Sequence, residues 1–146
     1  MGSYTSIFYH IVFSTKNRNN TIKAEFEKRI YNYIWEVIKD KKCKLIRIGG
    51  TENHIHILLV LHPDQSLSEL IRVLKCNSTN FIKKNIDNKF EGWQEGYSAF
   101  TVDAVGKDYI NNYIINQKEH HKKISFVDEV KNLLQSAKIV FDEKYL

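Results

Sequence analysis

The chain has only two cysteines, Cys43 and Cys76, in 146 residues, and they share no metal-site spacing. That is too little for a disulfide framework, and it points to a reducing compartment, the cytoplasm. No apolar run approaches the roughly 18–20 residues that a bilayer span requires, so no membrane partner is expected. The N-terminus carries no basic segment leading into an apolar one, which argues against a secretory leader. Internal repeats, low-complexity tracts and an ATP-type glycine-rich loop are all absent. What is present is an ordinary globular mixture: 42% hydrophobic and 27% charged residues, enough apolar material for one domain with a real core. A formal charge of +5 favours a polyanionic partner such as nucleic acid.

Strands and helices alternate legibly. Ser3 to Ser14 is rich in β-branched and aromatic residues and apolar on both faces, as a central strand would be. Phe26, Ile30, Tyr33, Ile34, Val37 and Ile38 recur at helical spacing. Lys44 to Ile48 reads as a strand, Gly49-Gly50 as the start of a turn, and the run from His54 to Leu61 as the returning strand of a hairpin. Ser66-Leu67-Ser68-Glu69 is a capping box opening a second helix with a Leu67, Leu70, Ile71, Leu74 stripe. After a loop through Gly92 and Gly96 comes a strand from Ser98 to Val102. The order β-α-β-β-α-β predicts an α+β, ferredoxin-like antiparallel sheet with two helices on one face.

Within that plan His54-Ile55-His56 is the most informative stretch. Strand side chains alternate, so His54 and His56 point one way and Ile55, Ile57, Leu59 and Leu61 the other. If the aliphatic set faces the helices, both imidazoles lie on the sheet's open face. Same-face neighbours sit roughly 6.5–7 Å apart, a span two imidazoles can close onto one divalent cation at about 2.0–2.2 Å each. His-x-His by itself is better matched by two hydrogen-bonded histidines at a strand end than by a bound metal.

A helix expected over about residues 107–122 carries Tyr109, Tyr113 and Gln117 at i, i+4, i+8, so Tyr113 and Gln117 share a face one turn apart. His120-His121 follows on the same helix and reads as a solvated helix end, the alternative being that one of the two reaches the metal or a phosphate. His10 and His62 read as structural. A final helix expected over about 126–141 is capped by Ser125, and Phe126, Val130, Leu133, Leu134 and Ala137 make a packing stripe. On the second helix Arg72, Lys75, Lys83 and Lys84 form a cationic face that is either simply solvated or tracks phosphates. Trp93 and Tyr97 either stack an unpaired base or anchor their loop onto the core.

Taken together, these blocks resemble the single-tyrosine transposases of the HUH endonuclease superfamily. The resemblance covers nearly the whole chain: Tyr9 to Lys16, Gly49-Gly50 into His54-Ile55-His56, Phe90 to Phe100, and Tyr113 through Gln117 to His121. One departure is Glu52-Asn53, where members often carry Pro-Asp. The resemblance implies a single domain over 1–146, with a core of about 3–104. It implies Mg²⁺ or Mn²⁺ held by His54, His56 and Gln117, and Tyr113 as nucleophile leaving a 5′-phosphotyrosine link. It further implies single-stranded DNA with hairpin ends as the partner, and a homodimer. Tyrosine is largely protonated at neutral pH and needs activation, which a metal or base supplies. Two competing readings remain: a non-cleaving single-stranded DNA or hairpin-binding protein of the same fold, and a metal hydrolase with no covalent intermediate.

Overall fold

Seven residues, Phe8–Ser14, form β1 at the centre of the sheet, hydrogen-bonded to neighbours on both sides. The structure, a computed structural model, describes residues 2–146. After β1 come α1 (Ala24–Asp40), β2 (Lys44–Gly50), β3 (His54–Val60), α2 (Leu67–Asn85) and β4 (Ser98–Val102). Then follow α3 (Gly106–Ile115), α4 (Gln117–His120) and α5 (Phe126–Ser136). The strands lie in the order β2-β3-β1-β4, every neighbouring pair antiparallel, which is the ferredoxin-like arrangement. No helix of the described residues is long and apolar enough to cross a membrane.

The core forms where alternation demands it. Ile11 and Phe13 of β1 and Ile55, Ile57 and Leu59 of β3 meet Ile30, Ile34 and Ile38 of α1 and Leu70, Ile71 and Leu74 of α2. Each such buried side chain stabilises the fold by about 1.5–3 kcal/mol relative to exposure. That face commits β3 to turning His54 and His56 the other way, and register sets His56 opposite Val12 and His54 opposite Ser14.

Some boundaries differ from expectation for identifiable reasons. The first strand starts at Phe8 rather than Ser3, because Phe8 already pairs with Val60 and Val102 at the ends of its partners. Gly49 and Gly50 are not the turn; they are the last residues of β2, paired with His56 and Ile55. A Cβ at Gly49 would come within 2.9 Å of both Cγ2 and the carbonyl oxygen of Ile114, so the bare backbone is what lets α3 lie directly on the sheet. The helix expected over 107–122 is two pieces, α3 and α4, joined at Asn116 (φ −92, ψ 15). The Asn116 N–H still bonds the Asn112 carbonyl at 3.1 Å, so Tyr113 and Gln117 remain one turn apart. Finally, α5 ends at Ser136 instead of about 141. Lys138 takes a left-handed φ of 58, its N–H bonding Gln135 O while Ile139 N–H bonds Leu134 O. That Schellman closure stops the helix.

Candidate metal and tyrosine site

The open face of the sheet is covered by α3, α4 and α5, and the covering is polar at one spot. His54 and His56 are both fully buried there. Gln117, at the start of α4 and 1% exposed, turns its Oε1 to within 3.0 Å of His54 Nε2. Tyr113 is half-buried one turn earlier, its ring 5.7 Å from that of His56. The structure thus brings together the four side chains from β3 and the tyrosine helix.

Glu129 and His121 complete the cluster; the sequence reading passes over Glu129, and it gives His121 as a solvated helix end with a metal or phosphate contact as the alternative. Glu129 of α5 is 1% exposed. Its Oε1 lies 2.9 Å from His56 Nε2, 3.1 Å from His121 Nε2 and 3.5 Å from His54 Nε2. Its Oε2 accepts hydrogen bonds from the Tyr113 hydroxyl and from Gln117 Nε2, the latter at 2.9 Å, and lies 3.2 Å from His120 Nε2. A buried carboxylate is tolerated only with such partners. The α5 helix, read from sequence as a packing element, therefore also delivers a site residue. The signal was there: Glu129 falls inside the apolar stripe of Phe126, Val130 and Leu134, where a charge is out of place unless it is paired. His121, read as a solvated helix end, has its Nε2 2.9 Å from Gln117 Oε1. His10, read as structural, shares a 2.8 Å hydrogen bond with His56 Nδ1 and orients that ring from behind.

Electrostatics follow from burial. Burial, then the proximity of His56, pushes both His10 and His54 down to about 3, so these rings are neutral. Burial works to raise the Glu129 carboxyl, but hydrogen bonds from His121, His56 and Tyr113 together outweigh it and hold it below the ordinary range. Burial first, and then the hydrogen bond to Glu129 and its charge, raise the Tyr113 phenol above its usual value. For His121, burial opposes the charged form, yet the Glu129 carboxylate wins and raises it.

One ligand atom from each of His54, His56, His121 and Glu129 lies within 4.8 Å of the others, a buried group able to hold a metal ion. Imidazole nitrogen and carboxylate oxygen suit a divalent cation in chemistry as well as in spacing.

The cationic and aromatic candidates contribute no side chain to this cluster, and Tyr97 alone comes near it. Arg72 forms a bidentate pair with Glu69 on the exposed side of α2. Lys83 and Lys84 are exposed near the end of α2. Lys75 donates from Nζ to the carbonyls of Gln94 at 2.9 Å and Gly96 at 2.5 Å, clamping the loop before β4. Trp93 donates from Nε1 to Ser78 Oγ at 2.9 Å and packs edge-on against Phe13 and Phe90. Tyr97 is 43% exposed and lines a groove with Val12, Ser14, Arg18 and Phe126, next to the histidines.

Comparison with known proteins bears on this arrangement. Residues 3–117 match the family described as "Transposase IS200 like". The chain is 31% identical over 122 residues to the transposase for insertion sequence element IS200 of Salmonella typhimurium, covering 78% of each protein. It is 22% identical over 117 residues to the ISDra2 transposase TnpA of Deinococcus radiodurans, covering 76% of this chain and 84% of that one. Among solved structures, a REP-associated tyrosine transposase bound to a REP hairpin superposes with a TM-score of 0.64 at 16% identity. That match covers 85% of this chain and 76% of the other, and it bears on the fold. The family match ends at Gln117, so His121 and Glu129 come from beyond it.

Proposed function

The chain belongs to the IS200-like, single-tyrosine HUH transposases and is a DNA transposase, and on that premise we propose that it cuts and rejoins single-stranded DNA through Tyr113. The observation that supports this reading most directly is the convergence of Tyr113, Gln117, His54 and His56 on one buried carboxylate. In the proposed reaction Tyr113 Oη bonds to the scissile phosphorus, the bond from phosphorus to the 3′ oxygen breaks, and the phenolic proton ends on that oxygen. The products are a 5′-phosphotyrosine and a free 3′-OH. Rejoining is the same exchange in reverse, so no ATP is required.

His54, His56 and Gln117 are the residues that would hold Mg²⁺ or Mn²⁺, which when bound supplies Lewis-acid charge at the phosphate and at the departing oxygen. The chain's own groups do the rest. Glu129 Oε2 holds the Tyr113 proton in a defined direction, and His10 fixes the His56 ring. α5 and Phe126, stacked on His54 at 4.3 Å, shield the donors from water. Tyr97 in the groove beside the histidines is the residue we assign to stacking an unpaired base, with Arg72, Lys83 and Lys84 on α2 as longer-range phosphate contacts. Trp93 is assigned to its alternative role of holding that loop in place, and Lys75 to the same task, which is neither the solvated nor the phosphate-tracking role expected of it.

The partner we propose is single-stranded DNA with hairpin ends, by analogy with the REP hairpin of the superposed structure. A homodimer formed along a sheet edge is part of the proposal, since β2 and β4 each leave one edge for pairing. The free thiols of Cys43 and Cys76 suit the cytoplasm, where we place the protein.

The test is covalent trapping of labelled single-stranded DNA from the flanks of the gene, with Mn²⁺, on a denaturing gel. A metal-dependent adduct that vanishes in Tyr113→Phe and His56→Ala is expected. Hairpin binding without any adduct would favour the non-cleaving reading, and cleavage surviving Tyr113→Phe would mean that a water attacks instead.

A further inference from the structure

The histidines of this cluster are hydrogen-bonded in a way that determines which nitrogen faces inward. His54 Nδ1 donates to Asn53 Oδ1 at 2.8 Å, and Thr51 Oγ1 lies 3.0 Å from the same nitrogen. His121 Nδ1 donates to the Ile124 carbonyl at 2.9 Å. With the hydrogen placed on Nδ1, Nε2 is a lone pair on the neutral His54 ring, and on the His121 ring unless that ring takes a second proton and donates to Glu129. Both lone pairs aim at oxygens. His54 Nε2 and His121 Nε2 face Gln117 Oε1 at 3.0 and 2.9 Å, and Glu129 Oε1 at 3.5 and 3.1 Å. The Gln117 amide cannot turn its nitrogen inward without giving up its hydrogen bond to Glu129 Oε2. Acceptors therefore converge on acceptors at the centre of a cluster in which His54, His56, Gln117 and Glu129 are buried, and they require a positive charge among them. A divalent ion supplies it without a second proton on each buried ring. An outward N–H on an acceptor and an inward lone pair is also how a metal-binding imidazole is held.

The separations from the carboxylate oxygen agree. Donors bound to one ion at about 2.1 Å stand about 3.0 Å apart at right angles and about 3.4 Å apart at tetrahedral angles. Glu129 Oε1 lies at 2.9, 3.1 and 3.5 Å from the three Nε2 atoms.

We propose that Glu129 and His121 are metal-binding residues, so that the ion is held by His54, His56, His121 and Glu129 with Gln117 Oε1 alongside. This rests on the metal-dependent reading above and widens its ligand set. The last helix, α5, then belongs to the site. One oxygen of its carboxylate is turned to the ion-binding nitrogens while the other positions the nucleophile Tyr113. A set of three imidazoles and a carboxylate also changes the preferred ion. Mg²⁺ favours oxygen and retained water, whereas this set favours Mn²⁺, Co²⁺ or Zn²⁺.

The experiment is Mn²⁺ binding to the full-length protein without DNA, read by the electron paramagnetic resonance signal of free Mn²⁺, with Mg²⁺ as competitor. Circular dichroism of each variant checks folding. Glu129→Gln and His121→Ala are expected to weaken Mn²⁺ binding by about tenfold or more. Glu129→Asp, which keeps the charge but withdraws the oxygen, should also weaken it, and it serves in place of Glu129→Gln should that variant not fold. If these variants bind Mn²⁺ like the parent while His56→Ala does not, Glu129 and His121 are not ligands and the narrower His54, His56, Gln117 set stands. If His56→Ala also binds normally, the metal reading of the site falls, and this inference with it.

Discussion

Gly49 is the position where the fold and the chemistry meet most closely, and its replacement by alanine tests the arrangement sharply. The added Cβ would sit 2.9 Å from Ile114 Cγ2 and 2.9 Å from the Ile114 carbonyl oxygen. Ordinary contact needs roughly 3.5–4.0 Å, so α3 must retreat by about 0.5–1 Å. Forcing extra volume into such a contact costs about 1–3 kcal/mol. For a chain of this length that lowers the melting temperature by roughly 3–10 °C. The catalytic effect should be larger in proportion, because Tyr113 is the residue next to Ile114, and a displacement near 1 Å can cost on the order of 100-fold in rate. The assay pairs a urea melt with the rate of covalent adduct formation, for Gly49→Ala, Ile114→Ala and the double variant. Ile114→Ala alone should cost about 2–5 kcal/mol as a cavity. The double variant should cost less than the sum by about 0.5–3 kcal/mol, because removing Cγ2 relieves one of the two clashes. A Gly49→Ala protein with parental stability and rate would refute the claim that bare backbone at Gly49 seats the tyrosine helix. Strict additivity would refute the named contact.

Two other outcomes follow from the same geometry. In chelator, stability should fall as pH is lowered from 7.5 to 5.5. His10 and His54 stay neutral in the fold down to about 3 but take up protons in the unfolded chain below about 6.5, so the unfolded state binds more protons across that window. His121, raised in the fold, opposes this in part, leaving a net loss of about 1–2 kcal/mol readable as a lower urea midpoint; a midpoint that rises would contradict the neutral, buried histidines. At the end of α5, Lys138 holds a φ of 58 that glycine adopts freely, so Lys138→Gly should raise the melting temperature slightly, by the equivalent of about 0.5–1 kcal/mol. A drop would mean that the Lys138 side chain contributes more than its backbone conformation costs.

What could be read from the sequence divides along a physical line. Period-two alternation in β3 assigns Ile55 and His56 to opposite faces before any partner is known. The i, i+4 spacing of Tyr113 and Gln117 survives even the break at Asn116, because the hydrogen-bond ladder crosses it. These features depend on local geometry, and local geometry is what a pattern records. Where α5 lands is a tertiary fact set by packing between distant segments: Glu129 reaches His56 across 73 positions. No periodicity specifies that meeting, yet its necessity leaves a trace. A carboxylate within the Phe126, Val130, Leu134 stripe cannot be buried alone, and a histidine pair facing away from the core cannot be covered by apolar residues without losing its hydrogen bonds. Each is an unmet demand in the sequence, and the two meet in the fold. The misplaced turn at Gly49-Gly50 has the same origin. Glycine permits both a turn and the close approach of another backbone, and only the position of Ile114 distinguishes them. A polar residue in an apolar stripe and a glycine in a strand are therefore best read as requests for a partner elsewhere in the chain. In this protein the partners are the histidine pair of β3 for Glu129 and the tyrosine helix for Gly49.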